Sequence, residues 1–117
     1  MNVSEAAQSI GGIIVVAAAE AASREVLGGY ASDLLSDVMA NSREGDLWVT
    51  MQKHVNVVAV AELKGIAGIV MVNGRKPEEA AVARAEENRI PIICTDLQAF
   101  DVAGILCGVG IRGRRPV

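Results

Sequence analysis

A chain of 117 residues is enough for one domain with one hydrophobic core, but not for two. It is 51% apolar and 21% charged, with a formal net charge of -3 and a pI near 5.1, so it lacks the broad basic surface that nucleic acid requires. Only Tyr30, Trp48 and Phe100 are aromatic, so the core must be built from Val, Ile, Leu and Ala, which suits helices packed on a sheet.

Asn2 and Glu5 have the spacing of a capping box for a short helix over residues 3–10, which Gly11-Gly12 would stop. GIIVVAAA follows as a short buried strand. AEAASREVLGGYASD has no clean period and reads as a loop leading to a brief strand at 26–31. Ser32 or Asp33 then caps a helix, LLSDVMANS, with Leu34, Leu35, Val38 and Met39 on one side. Residues 43–46 form the turn out of it. DLWVTM is a strand, HVNVVAVAELKG a helix apolar almost all round and hence buried, and GIVMVN another strand. PEEAAVARAEENR is an amphipathic helix with Pro77 in its first turn and Glu78 and Glu79 beside the positive end of its dipole. PIICTD is a further strand, and Thr95 with Gln98 forms a second capping box for the last helix, LQAFDVAGILCG. This alternation predicts a three-layer α/β/α fold whose mostly parallel sheet is joined by right-handed crossovers. The domain spans residues 1–111; residues 112–117, RGRRPV, read as a frayed basic tail.

In open parallel sheets, ligands bind beyond the carboxyl ends of the strands, where helix N-termini also point free N–H groups that favour an anion. The strand from Asp46 delivers Thr50, Gln52, Lys53, His54 and Asn56 to this edge. The next delivers Asn73, Gly74 and Arg75, and the last Thr95 and Asp96; Tyr30, Ser32 and Asp33 join the rim if the first half packs alongside. Each has a plainer reading. His54 is a proton carrier or anion contact, or a surface residue at a helix start. Asn56 reads equally as a helix cap. Lys53 and Arg75 bind phosphate or are solvated, and Asn73-Gly74 is a turn before it is a ligand cradle. Asp33 and Asp37 are paired carboxylates, or one caps the helix and the other faces water.

The chemistry that the sequence lacks narrows the choice. Cys94 and Cys107 have neither a disulfide framework nor a zinc spacing and read as buried thiols of a reducing cytoplasm. No GxxxxGK[ST], GxSxG or HExxH occurs, and one histidine cannot form a multi-histidine metal site. GVGIRG at 108–113 has the letters of a dinucleotide fingerprint but follows a helix instead of a strand. No apolar run reaches membrane-spanning length, and no signal peptide is apparent. No cofactor or metal is expected.

The run GGYASDLLSDVMANSREGDLWVTMQKHVNVVAVAELKGIAGIVMVNGRKPEEA, followed by IPIICTDLQAFDVAGIL, resembles the DRTGG domain family, and more closely its stand-alone bacterial and archaeal branch. The resemblance covers roughly residues 3–111 and rests on the order GGY, SDLLSDVMAN, EGDLWVT, NGR-x-P and IP-x-x-x-T. It implies the fold of the N-terminal domain of HPr kinase/phosphorylase and a regulatory role, as in family members found beside CBS domains or in long phosphotransacetylases. The signature itself is largely replaced: Asp-Arg falls on Lys53 and His54, and Thr-Gly-Gly on Val72, Asn73 and Gly74. The kinase P-loop lies in another domain, so the resemblance implies no kinase activity. The expectation is a non-catalytic regulatory domain that binds a small anionic ligand, such as a nucleotide or phosphorylated metabolite. One alternative is an accessory or assembly subunit of a hydrogenase or iron–sulfur redox system; another is a small transferase or hydrolase using His54. So apolar a short chain is also expected to form a homodimer.

Overall fold

Eleven elements alternate along residues 1–114, the part of the chain that the computed structural model describes. They are α1 (Val3–Ser9), β1 (Ile13–Val16), α2 (Ala18–Ser23), β2 (Gly28–Ala31), α3 (Leu35–Asn41), β3 (Asp46–Thr50), α4 (Val55–Lys64), β4 (Gly68–Met71), α5 (Glu79–Glu87), β5 (Ile92–Cys94) and α6 (Ala99–Gly108). One sheet holds all five strands in the order β1-β5-β4-β3-β2. β2 to β5 are parallel neighbours, and β1 joins the β5 edge antiparallel, with a register irregularity between Ile14 and Val16. The fold is therefore α/β with a mostly parallel sheet, and no helix among the described residues is long and apolar enough to cross a membrane.

Two cores follow from the twofold alternation of side chains along each strand. Leu47, Val49, Val70, Val72 and Ile93 face α1, α2 and α6, where they meet Val3, Ala6, Ile10, Ala21, Val102 and Leu106. Trp48, Ile69, Met71 and Ile92 face the other way, toward Val38, Val57, Val58, Val60, Ala81 and Ala85 of α3, α4 and α5. The sheet thus lies between two helical layers, and its central strands β3 and β4 are buried along their whole length. Such strands read as continuous apolar runs because both faces are covered.

Local chemistry sets most boundaries. The Asn2 side chain accepts from the Glu5 N–H at 2.8 Å and the Glu5 carboxylate accepts from the Asn2 N–H at 2.9 Å, completing the capping box at α1. Gly65 ends α4 in the left-handed region at φ 65, where a side chain would be strained. The segment read as a loop holds α2, which starts after Ala17 at φ 57 and buries only Ala21, too little to leave an apolar period. GIIVVAAA forms a strand only over Ile13–Val16, and as an edge strand it leaves Ile13 and Val15 exposed.

Three expected caps are not made, and one helix starts later than expected. The residue before α3 is Leu34, with no side-chain cap, because Asp33 is drawn into bonds with β3 and its loop. His54 occupies the cap position of α4, while Asn56 is an exposed residue of its first turn. α5 starts after Glu78, so Pro77 precedes the helix instead of opening it. Thr95 and Gln98 form no capping box; the Thr95 hydroxyl donates to the Ile10 carbonyl at 3.2 Å and accepts from the Leu97 N–H. α4 is also less enclosed than its sequence suggests, since Leu63 is 74% exposed.

The segment read as a frayed tail is held down as far as residue 114. The Gly29 N–H donates to the Arg112 carbonyl at 3.1 Å, and the Arg114 guanidinium pairs with the buried Asp46 carboxylate. Arg115, Pro116 and Val117 lie outside the described residues.

Candidate functional site

The carboxyl ends of β2, β3, β4 and β5 share one edge of the sheet because these strands are parallel, and antiparallel β1 begins there with Gly11 and Gly12. Along this edge the polar side chains divide into a closed half and an open half.

The closed half joins the loop after β2 to the end of β3. The Asp33 carboxylate accepts from the Thr50 hydroxyl at 2.8 Å and the Met51 N–H at 2.7 Å. The Thr50 oxygen accepts from the Gln52 N–H at 3.1 Å, and the Gln52 amide donates to the Asp33 carbonyl at 2.9 Å. The Ser32 carbonyl accepts from the Trp48 indole N–H at 2.8 Å, and its hydroxyl oxygen accepts from the Leu34 N–H at 3.2 Å. Tyr30 donates to the Asp37 carboxylate at 2.8 Å, which also accepts from the Asn41 amide at 2.8 Å. The Asn41 amide chiefly, then Ser32 and Tyr30, hold the Asp37 carboxyl below its ordinary pKa; the bond to Asp37 raises that of Tyr30. The hydrogen bonds of this half stay within the protein. They fix the loops, and Asp33 and Asp37 each have their own partners instead of forming a carboxylate pair.

Between the halves, His54 precedes α4 and Glu78 precedes α5, with His54 Nδ1 2.8 Å from a Glu78 carboxylate oxygen. Both side chains are about half exposed, which makes the pair weak. The Glu78 N–H also donates to the Lys53 carbonyl at 3.0 Å, so residues 53, 54 and 78 tie two loops together.

The open half is built around Asn73 and Gly74, with φ values of 59 and 68. Two successive left-handed residues are what an Asn-Gly pair adopts at least cost. This turn brings the Asn73 N–H to the Leu97 carbonyl at 2.9 Å and the Gly74 N–H to the Thr95 carbonyl at 3.0 Å. Arg75 and Lys76 emerge from it exposed. Beside it lies a cleft of about 250 Å³ lined by Gly11, Ile13, Gly74, Lys76, Cys94, Thr95 and Asp96. A second cleft of about 330 Å³ shares Ile13, Lys76 and Cys94 and adds the apolar Val15, Pro77 and Val82. Lys76 thus borders both a polar recess and an apolar one. A further hollow of about 230 Å³, lined by Arg24, Gly65, Ile66, Asn88 and Ile90 among others, lies at the amino ends of β4 and β5, away from the edge that parallel sheets use for binding.

Cys94 reaches this site half-buried; burial pushes its thiol pKa up, and the nearby Lys76 only partly opposes this. The thiol is therefore protonated and a weak nucleophile at neutral pH. Cys107 is exposed on α6, on the other side of the sheet, so one chain cannot bring both thiols to a single cluster. Among the described residues no group of His, Cys, Asp and Glu has the arrangement of a metal site.

Of the residues singled out from sequence, the cleft gathers Gly74 and Thr95, and Asp96 with them; Arg75 adjoins it. Tyr30, Ser32, Asp33, Thr50 and Gln52 belong to the closed half, Lys53, His54 and Asn56 to the start of α4, and Asn73 to the supporting turn. Gly11, Ile13, Lys76 and Cys94 were not anticipated. Lys76 could have been found, one residue after Arg75 on the same strand end. Gly11 and Ile13 reach the edge only because β1 runs antiparallel, which alternation does not reveal.

The chain matches the DRTGG domain over residues 5–108. No curated protein matches it. Among solved structures it is similar to the CBS and DRTGG domains of the regulatory region of Clostridium perfringens pyrophosphatase, complexed with the activator diadenosine tetraphosphate. The TM-score is 0.66 at 10% identity, and the match covers 90% of this chain and 45% of that one. The likeness is one of fold, and this chain spans less than half of its neighbour's length.

Proposed function

The chain belongs to the DRTGG domain family, and from that premise we propose that it is a non-catalytic regulatory domain that binds a small ligand carrying both an anionic and an apolar part. A nucleotide or a phosphorylated metabolite has this character. The observation that carries the reading is the pair of joined clefts with Lys76 at their junction. In this reading Lys76 meets the anionic group as a point charge, with exposed Arg75 raising the local potential. Gly11, to which an added Cβ would find nothing within 4 Å, lets the ligand approach the backbone closely. Ile13, Val15, Pro77 and Val82 receive the apolar part. The protonated Cys94 thiol is poorly prepared for nucleophilic chemistry, which favours binding over turnover. The similarity to a regulatory region that holds a nucleotide activator agrees with this reading.

The test is isothermal titration of the full chain with nucleotides, dinucleoside polyphosphates and acyl phosphates, repeated on Lys76→Ala. Binding to the wild type that weakens about tenfold or more in Lys76→Ala supports the reading, since a charge-assisted contact is worth about 1.5–3 kcal/mol. No binding by the folded wild type, or equal binding by the variant, overturns it.

A further inference from the structure

Helix α6 carries more apolar surface than its own chain covers. Val102 and Leu106 are buried, whereas Phe100 is 84% exposed and Gly104, Ile105, Cys107 and Gly108 are exposed as well. At about 100° per residue, Phe100, Gly104, Cys107 and Gly108 share the side of the helix that faces away from the core. Gly104 and Gly108 are not among the glycines with positive φ, so neither needs the conformational freedom of its residue type. A Cβ added at either would meet nothing within 4 Å, so packing within the chain does not demand them. A glycine inside a helix is otherwise a liability. Two of them four residues apart make a shallow hole, and the exposed Phe100 beside them makes a knob. Small residues at this spacing allow two helices to approach closely.

We propose that this face packs against α6 of a second copy of the chain, antiparallel, across a twofold axis at Gly104. With the crossing there, Phe100 of each copy lies over Gly108 of the other, so one knob-and-hole contact is made twice. Charge favours the same arrangement. Asp101 lies in the first turn of α6 and Arg112 just beyond its end, both exposed. The antiparallel pairing brings the acidic end of one helix to the basic end of the other, and the two helix dipoles also oppose. A parallel pairing would set like charges together. The surface is therefore complementary to itself, and a twofold contact of this kind closes into a dimer instead of a chain of copies.

The test combines light scattering behind a sizing column with disulfide trapping, on the full chain at micromolar concentration. The wild type is expected at twice the mass of the chain. Phe100→Asp and Gly108→Leu halve that mass while circular dichroism shows the fold intact, because both positions are open in the single chain. In a Cys107→Ser background, which leaves only Cys94 and should not cross-link by itself, Gly104→Cys forms an intermolecular disulfide under mild oxidation and Phe100→Cys does so far more slowly. A monomeric wild type overturns the proposal, as does a dimer that survives both substitutions or a Phe100→Cys that cross-links faster than Gly104→Cys.

Discussion

Replacing Arg114 with alanine tests whether the C-terminal segment is part of the fold. Asp46 is 3% exposed, and its carboxylate accepts from Arg114 Nε at 3.0 Å and from the Arg43 N–H at 2.8 Å. Arg114 also donates to the Glu44 carbonyl at 2.6 Å. Its stem fits closely over Gly28, where a Cβ would come within 2.7 Å of Nε. Removing one partner of a buried ion pair costs about 3–5 kcal/mol because the other charge is stranded. Here the Arg114 side chain is 27% exposed and Asp46 keeps the Arg43 N–H, so about 2–3 kcal/mol is the appropriate discounted range. For a chain of 117 residues, with about 2.1 cal/mol/K of unfolding entropy per residue, this lowers the melting midpoint by about 8–12 °C. Circular dichroism melts and urea titrations measure it. Asp46→Asn combined with Arg114→Ala should cost less than the sum of the single changes, since no buried charge is then unpaired. Arg112→Ala is the control: Arg112 accepts from Gly29 through its carbonyl, and its exposed side chain should matter by no more than about 0.5 kcal/mol. An Arg114→Ala melt within about 2 °C of wild type would refute the clasp and the covering of the β2 edge.

Three further outcomes follow from particular residues. The Asp37 carboxyl is held below its ordinary 3.8, so its stabilising contribution is complete above that value and lost as pH falls through the folded-state pKa; Tyr30, raised above 10.0, loses its contribution as pH rises past its folded-state value. Asp37→Asn should therefore flatten the fall in melting midpoint below about pH 4, and an unchanged acid limb would count against the Tyr30–Asp37–Asn41 network. Gly45 has φ 85, so Gly45→Ala should cost at least about 1–2 kcal/mol in urea unfolding from backbone strain, with crowding against Cβ and Cγ of Leu27 adding to it; a neutral substitution would contradict the turn. In the Phe100→Asp variant, where the α6 face is expected to be uncovered, alkylation followed by mass spectrometry should label Cys107 before Cys94, with ligand in the clefts slowing Cys94 alone. The reverse order would be inconsistent with the thiol environments.

From β3 onward the fold was legible because the elements carry clear patterns: DLWVT and GIVM are apolar on both faces, and EAAVARAEE alternates at the helical period. α2 was not, since a short helix with one buried alanine has no period to read. The caps failed for a different reason. Asp33 and Thr95 have the right chemistry for capping, but their oxygens bond to Thr50 and Met51, and to Ile10 and Leu97 respectively, through contacts that only the assembled sheet creates. The candidate site shows the same limit. The carboxyl edge could be inferred from topology, yet which polar groups are already committed there depends on tertiary bonds. Thr50 and Thr95 look alike as candidates in sequence and differ in the structure because one is bonded into the closed half and the other lines the open cleft.

The antiparallel edge strand governs the order in which the protein can assemble. β1 is made early, but its hydrogen-bonding neighbour is β5, and the bond from Thr95 to Ile10 spans 85 residues. Until β5 leaves the ribosome, Ile13 to Val16 have no sheet to join. α1 can dock early on α2, since the Val3 N–H donates to the Arg24 carbonyl, but β1 must remain unpaired through most of synthesis, and the sheet closes only after β2 to β5 can form by stepwise local additions. Closing so long a loop late is slow, and in the interval the apolar strand is open to pairing with other chains. Folding yield should thus depend on concentration and chaperone supply more than the stability of the finished domain would suggest.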